Sequence, residues 1–362
     1  MIFENRISRV RQAMARAGMD CLLVAPSSDM FYLSGVRQLP GERFSCLLIT
    51  ADAVDFLTPA FEIGNLEEKS LSLLHIRGNS DREDPLETAA RLLRGCAVVG
   101  VARQVPSWIT LALIERCKSS RFVSAKELLS DLRVVKTEEE IAILKDVQVR
   151  SGKAFTRLME QGLCGRTERE IVRLFIELSA EQGIDSKGPM VASGANTARP
   201  HHRPGDRVLR AGDVVFLDFG GADFKTLFRA DTTRTFAIKR APDKFAELYE
   251  IVLAANTVAL QAAKPGVPCR DVDAAARNVI ASAGYGECFT HRLGHGIGLD
   301  IHERPFLGPS SEEIVAAGQV FSDEPGIYVE GEFGVRTEDI LCIRESGAER
   351  LTELPQAMMI CD

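Results

Sequence analysis

The stretch GDVVFLDFGGADFKTLFRADTTRTF, residues 212–236, sets two strand-like runs one after the other with no helical stretch between them. Successive strands without a crossover pair antiparallel. Two further runs, QVFSDEPGIYVE (319–330) and GVRTEDILCIRE (334–345), also follow one another directly, and the domain mixes these strands with helical stretches such as TEREIVRLFIELSAEQG and KFAELYEIVLAANTVALQAA. This part of the chain therefore reads as α+β. The first third has another grammar. ENRISRVRQAMARAG has helical spacing and stops at Gly18, while DCLLVAP, FSCLLIT and CAVVGVA are short buried-strand runs separated by helical stretches. That pattern implies a small α/β domain over residues 1–130, followed by the α+β domain over 131–362. Just past the boundary, Thr137 followed by Glu140 is a capping-box signature. It opens a long amphipathic helix through Ile141, Leu144, Val147 and Phe155.

Composition excludes several classes. At 362 residues, 45% hydrophobic and 26% charged, the chain is an ordinary globular one, with length for two domains. No apolar run approaches the roughly 18–20 residues of a membrane helix. The N-terminus, MIFENRISRVRQAMARAGMD, lacks the apolar centre of a signal peptide and reads as a first helix. A net charge of −7 without a dense Lys/Arg stripe argues against nucleic acid as a partner. Nine cysteines with no C-x-x-C pair imply reduced thiols and a cytoplasmic location.

Each of the four strand-like runs of the second domain carries an acid where a strand should be apolar: Asp218, Asp231, Glu324 and Glu338. A lone buried carboxylate costs several kcal/mol, so such acids are paired, protonated or bound to a cation. Arg229, Arg234 and Arg336 are available as ordinary partners. The other reading is a metal site, to which the glycine-embedded histidines of HRLGHGIGLDIHE (291–303) would contribute. Oxygen donors with one imidazole form a hard ligand set that suits manganese, iron(II) or cobalt, with zinc possible. Four carboxylates nearly balance two divalent ions, which points to a hydrolase. Other catalytic signatures fail: there is no H-E-x-x-H, no G-x-S-x-G, and GHGIG is not a dinucleotide loop.

The motifs SGANTARPHHRPGDR, GDVVFLDFG, DTTRTF, HRLGHGIGLDIHERP, DEPGIY and GVRTED, in this order, resemble the pita-bread metallopeptidases, the superfamily of methionine aminopeptidase, aminopeptidase P and prolidase. The Xaa-Pro-specific branch is most similar, and FYLSGVRQLPGERF resembles the N-terminal domain that such peptidases carry. The resemblance implies a creatinase/prolidase-type α/β domain and a pita-bread catalytic domain with a curved antiparallel sheet. It implies two divalent ions, Mn²⁺ first and Co²⁺ or Zn²⁺ as alternatives, sharing a bridging hydroxide. Asp218 would chelate one ion, Asp231 and Glu338 would bridge the pair, and His295 with Glu324 would complete the other shell. Glu324 would also be general base, His302 would contact the scissile peptide, and His201 would steady the substrate. The glycines around His295 would let the backbone approach the ions and adopt positive φ.

If Asp231 were misaligned, Asp223 would compete for its place. Phe306 stands where some prolidases have a substrate-reading arginine, which leaves Arg37, Arg43, Arg304 and Arg336 as candidates to bind substrate. The activity implied is hydrolysis of Xaa-Pro dipeptides by a homodimer. The alternatives are an aminopeptidase P acting on longer Xaa-Pro peptides, a creatinase-like amidinohydrolase, another small-amide hydrolase or lyase, and a metal-free binding module.

Overall fold

The structure, a computed structural model, describes residues 2–66 and 72–362. The chain divides into two compact units, Met1–Arg133 and Val134–Asp362. The first is built on a six-stranded sheet of order β4-β3-β2-β1-β5-β6. Its strands are β1 (Cys21–Val24), β2 (Cys46–Thr50), β3 (Val54–Pro59), β4 (His75–Asn79), β5 (Val98–Val101) and β6 (Arg121–Ser124). The strands β1, β2 and β3 pair antiparallel, whereas β4, β5 and β6 join in parallel. Helix α1 (Ile2–Arg16) buries Ile7, Val10 and Met14, one helical face. Helices α2 (Ser28–Ser34), α3 (Pro85–Leu92), α4 (Ser107–Arg116) and α5 (Lys126–Val134) complete the unit. The apolar runs read as strands supply its core, where Leu23, Leu48, Leu57 and Val99 pack with Ala89, Ile109 and Leu113.

In the second unit, α6 (Glu138–Met159) begins at Thr137 with the expected reciprocal capping box. Helix α7 (Glu168–Glu181) begins with a second one, Thr167 with Glu170. The strands β9 (Val214–Asp223) and β10 (Arg229–Ile238) pair antiparallel, with Thr233 opposite Asp218 and Asp231 opposite Gly220. Alternation does the rest. Val215, Leu217 and Phe219 point into a core shared with α6 and α7, and the Phe219 ring stacks on Phe155 at 4.9 Å. Asp218 is on the other face. Asp231 is its diagonal neighbour across the ladder, so the two carboxylates emerge on the same side. This sheet has order β18-β10-β9-β7, with β7 (Ile184–Asp185) and β8 (Met190–Ser193) both on β9. The strand β18 (Met359–Cys361) joins β10 in parallel, a departure from antiparallel pairing throughout.

The other large sheet has order β12-β11-β13-β16-β17, ending on β17 (Gly347–Arg350). Helices α8 (Asp243–Ala262) and α9 (Cys269–Ser282) pack Phe245, Val252, Val272 and Ile280 against its Leu307, Phe321, Leu341 and Ile343. Two runs read as single strands are each broken. QVFSDEPGIYVE splits into β13 (Val320–Asp323) and β14 (Gly326–Tyr328), and GVRTEDILCIRE into β15 (Gly334–Arg336) and β16 (Asp339–Arg344). Pro325 has no N–H to offer a ladder. At the second break the Glu338 N–H turns to the Thr233 carbonyl at 3.0 Å. Glu324 and Glu338 thus sit in the breaks, freed from the up-down alternation of a strand. The glycine-rich run hid a further strand, β11 (Gly294–Gly296), which lies between β12 (Glu303–Leu307) and β13.

A buried carboxylate organises the segment that carries His201. Glu168, the first residue of α7, has a fully buried side chain. It accepts from Ser193 N and Oγ at 2.9 and 2.7 Å, Asn196 Nδ2 at 2.8 Å and Gly205 N at 3.0 Å, and pairs with His202 Nε2 at 2.8 Å. Burial raises its pKa, but hydrogen bonds from Asn196, Ser193, Gly205 and His202 more than offset this and hold it below the usual carboxylate value. A depressed folded pKa contributes stability above the unfolded value, and that contribution is lost as pH falls through the folded one. Glu168→Gln is expected to cost about 1–3 kcal/mol at neutral pH. It should also flatten the acid-side loss of stability that sets in as pH falls below the ordinary carboxyl value of about 4.3. Denaturant unfolding at several pH values checks both; an unchanged acid limb would remove Glu168 as its source.

Candidate metal centre

Asp218, Asp231, His295, Glu324 and Glu338 line one cavity of about 530 Å³. Asp231, His295 and Glu338 are buried and each offers a ligand atom within 4.8 Å of the others. His295 Nε2 lies 3.2 Å from Glu324 Oε1 and 3.7 Å from Asp231 Oδ2. The His295 ring is aimed there because its Nδ1 faces the Gly296 carbonyl at 3.2 Å. Ser322 Oγ joins the two, accepting from His295 N at 2.9 Å and donating to Glu324 Oε1 at 3.1 Å. Glu338 Oε2 accepts from Thr233 Oγ1 at 2.8 Å, while its Oε1 is buried with no hydrogen-bond partner. Asp218 Oδ2 accepts from Arg336 Nη2 at 2.7 Å.

The electrostatics are those of a site short of positive charge. Burial raises Asp231 and Glu338 well above the usual carboxylate range, and the charges of neighbouring acids add to the rise. Asp218 is raised by burial too, against the pull of Arg336. Glu324 goes the other way. Burial would raise it, but the hydrogen bond and charge of His295, with His291 and Arg336, bring it down to about 2. Burial lowers the His295 pKa, yet Glu324 and then Asp231 lift it above the ordinary value. The orphaned Glu338 Oε1 and a donor set of carboxylate oxygens with one imidazole suit a hard divalent cation. The residues fit the group.

The rest of the run 291–303 divides its labour. The His302 ring meets His295 edge-on with centroids 4.2 Å apart and lines the cavity. Burial, then the charges of His295 and Arg292, lower its pKa to about 4, so it is neutral at physiological pH. Glu303 next to it is pinned by Lys136 Nζ at 2.9 Å. The neighbouring glycines serve close packing, and none of the three has positive φ. A Cβ would lie 1.9 Å from the Ser322 carbonyl at Gly294, 2.2 Å from the Arg304 carbonyl at Gly296 and 2.5 Å from Glu303 Oε1 at Gly298. The crowding is against neighbouring backbone at Gly294 and Gly296 and against the Glu303 side chain at Gly298, so close approach, with no positive φ needed, is what requires glycine here.

His201 also lines the cavity. Of the arginines, Arg336 is buried in its wall and donates to Asp218, to Thr233 Oγ1 at 3.0 Å and to the Tyr328 hydroxyl at 3.0 Å. Arg304 is outside the lining and pairs with Glu313 at 2.8 Å. Arg43 pairs with Asp81 at 3.1 Å on the first unit, where the Arg37 guanidinium lies 5.5 Å from the Phe31 ring centroid. Asp223 is committed to Arg150 at 2.7 Å and to the turn at Thr226, away from the acid cluster. Sequence reasoning missed His291 and Arg292 in the lining, together with Met190, Pro200 and Ile301. His291 and Arg292 open the run 291–303; the other three carry no chemical signal.

Residues 6–135 match the model of the creatinase/prolidase N-terminal domain, and residues 142–345 that of metallopeptidase family M24. The "Probable dipeptidase PepE" of Mycobacterium tuberculosis is 34% identical over 364 residues, covering 99% of this chain and 96% of the relative. The Xaa-Pro dipeptidase of Pyrococcus horikoshii is 30% identical over 360 residues, covering 99% of each. The crystal structure of a prolidase from Thermococcus sibiricus superposes with a TM-score of 0.93 at 32% identity, again over 99% of both chains. With its acid-and-histidine cavity and matches along nearly its whole length, the chain is a peptidase of metallopeptidase family M24 with a creatinase/prolidase-type N-terminal domain.

Proposed function

We propose that this enzyme hydrolyses the Xaa-Pro bond of dipeptides, with two divalent metal ions, Mn²⁺ first, held by Asp218, Asp231, His295, Glu324 and Glu338. The observation that carries the site is the convergence of these residues in one cavity, with a Glu338 oxygen left unpartnered. The Xaa-Pro dipeptidase and prolidase relatives support the substrate class. When bound, such ions act as Lewis acids toward the scissile carbonyl and lower the pKa of water.

The chain's own residues do the remainder. Glu324 is kept deprotonated, and both its contacts, from His295 and Ser322, fall on Oε1. Oε2 is then the atom that takes a proton from the attacking water and passes it to the leaving proline nitrogen. His302, neutral, donates a hydrogen bond to the carbonyl oxygen as charge develops there. His201, on the segment anchored by Glu168, faces the same substrate. Arg336 binds substrate only through Asp218, whose carboxylate it orients.

Chelator-stripped protein, resupplied with Mn²⁺, Co²⁺ or Zn²⁺, should regain hydrolysis of Ala-Pro and Met-Pro. Cleavage of Ala-Pro-Ala as well would make it an aminopeptidase P, and metal-loaded protein that cuts none would overturn the reading. Glu324→Gln should lower kcat by about 10²–10⁴-fold, the range of a lost general base. A homodimer and a cytoplasmic location belong to the same reading. Exposed Leu39, Phe61, Trp108 and Leu111 give the first unit apolar surface, and all nine cysteines are free thiols. Light scattering should return about twice the 39.7 kDa chain mass; a monomer would refute the dimer.

A further inference from the structure

A dipeptide differs from any longer peptide in one charge: its carboxylate sits a single carbon from the scissile nitrogen. A dipeptidase therefore needs a cation in the same cavity as its acids. The cavity lining offers two arginines, Arg292 and Arg336. Arg336 is already committed to Asp218, Thr233 and Tyr328.

Arg292 is different. Its half-buried side chain has no carboxylate partner among the described residues, and its guanidinium carbon lies 4.5 Å above the centre of the Phe306 ring. Its backbone position is fixed from both sides. The His291 ring bonds the Arg292 carbonyl at 2.8 Å, and the next residue, Leu293, donates its N–H to Asp273 at 2.9 Å. A guanidinium attracted to an aromatic face spends none of its N–H donors on a carboxylate there, so its fork can still meet one. Such a fork bonds both oxygens of a carboxylate at once. The same cavity holds Glu324, His201 and His302, the groups assigned to the reacting bond.

We propose that Arg292, held over the Phe306 ring, binds the C-terminal carboxylate of the dipeptide and so sets the length of substrate this enzyme accepts. The assignment rests on the Xaa-Pro dipeptidase reading and adds to it the residue that separates dipeptides from longer chains. Arg304, with its salt bridge to Glu313, and Arg336 are thereby released from that role.

The test compares Ala-Pro with Ala-Pro-amide, which has the same scissile bond but no carboxylate, on Mn²⁺-loaded enzyme. The wild type should favour the acid in kcat/KM. In Arg292→Gln that preference should fall by about 10- to 100-fold, the weight of a charged hydrogen-bond pair, chiefly through KM. Arg292→Lys, which keeps the charge but loses the fork, should fall between the two. It also carries the test if the glutamine variant does not fold. Equal losses on acid and amide would give Arg292 a structural role and overturn the assignment alone, as would an unchanged preference in either variant. A wild type that cleaves neither substrate would overturn the Xaa-Pro reading and the assignment with it.

Discussion

Four carboxylates held in one cavity repel one another, and much of the catalytic unit is arranged to keep them together. Like charges about 4 Å apart repel by roughly 4 kcal/mol at an effective dielectric near 20, and more where water is excluded. Against this the protein sets few positive groups. Arg336 neutralises Asp218, and His295 sits between Glu324 and Asp231. Asp231 and Glu338 are left with burial and repulsion, which is why both are shifted upward. A polypeptide free to relax would let one of these side chains swing out to solvent. This one is prevented from doing so by backbone that cannot move.

That rigidity has a traceable origin. The Thr137 capping box fixes the start of α6, and about three turns into the helix Gln148 clamps Asp231 from behind. Gln148 donates to the Asp231 carbonyl at 2.6 Å, and its Oε1 accepts from the Asp231 N–H at 3.1 Å. On the opposite face of β10, fully buried Arg234 donates to the Glu338 carbonyl at 2.8 Å and to Asp339 at 2.7 Å. A buried ion pair adds little net stability, because desolvation consumes most of its Coulombic gain, but removing one partner is severe. Its contribution here is register: it locks the break before β16 to β10, so that Glu338 and Asp231 meet. Thr233 and Thr235 complete the seam, bonding the Glu338 side chain and the Arg336 carbonyl.

Much of this was legible in the residues. Acids in apolar runs marked the site, because an unpaired buried carboxylate is too costly to be incidental, and the helical and strand periods separated an α/β unit from an α+β one. The breaks in two strands were not legible from period alone. Pro325 marked one of them, but the other depends on a hydrogen bond from Glu338 to Thr233, residues more than a hundred positions apart. The strand β11 was masked because its glycines, which weaken any propensity, are required by the close approach of β12 and β13. In sequence Glu168 is one of two acids in a helix's first turn. Its role appears only once the chain between Ser193 and Gly205 closes around it.

The two histidines that stand seven apart show how little separation is needed for opposite chemistry. His295 is enclosed by acids that draw a proton toward it, whereas His302, one ring further out, feels burial and the charges of His295 and Arg292 and stays neutral. Glu324 is depressed by the same His295 whose own basicity it raises. When environments push neighbouring groups apart in this way, the low one is poised to accept a proton and the neutral imidazole to offer its N–H, the roles proposed above for Glu324 and His302. The upward shifts of Asp231 and Glu338 belong to a different balance. They measure the positive charge that the chain does not itself supply, and so mark the place where a cation belongs.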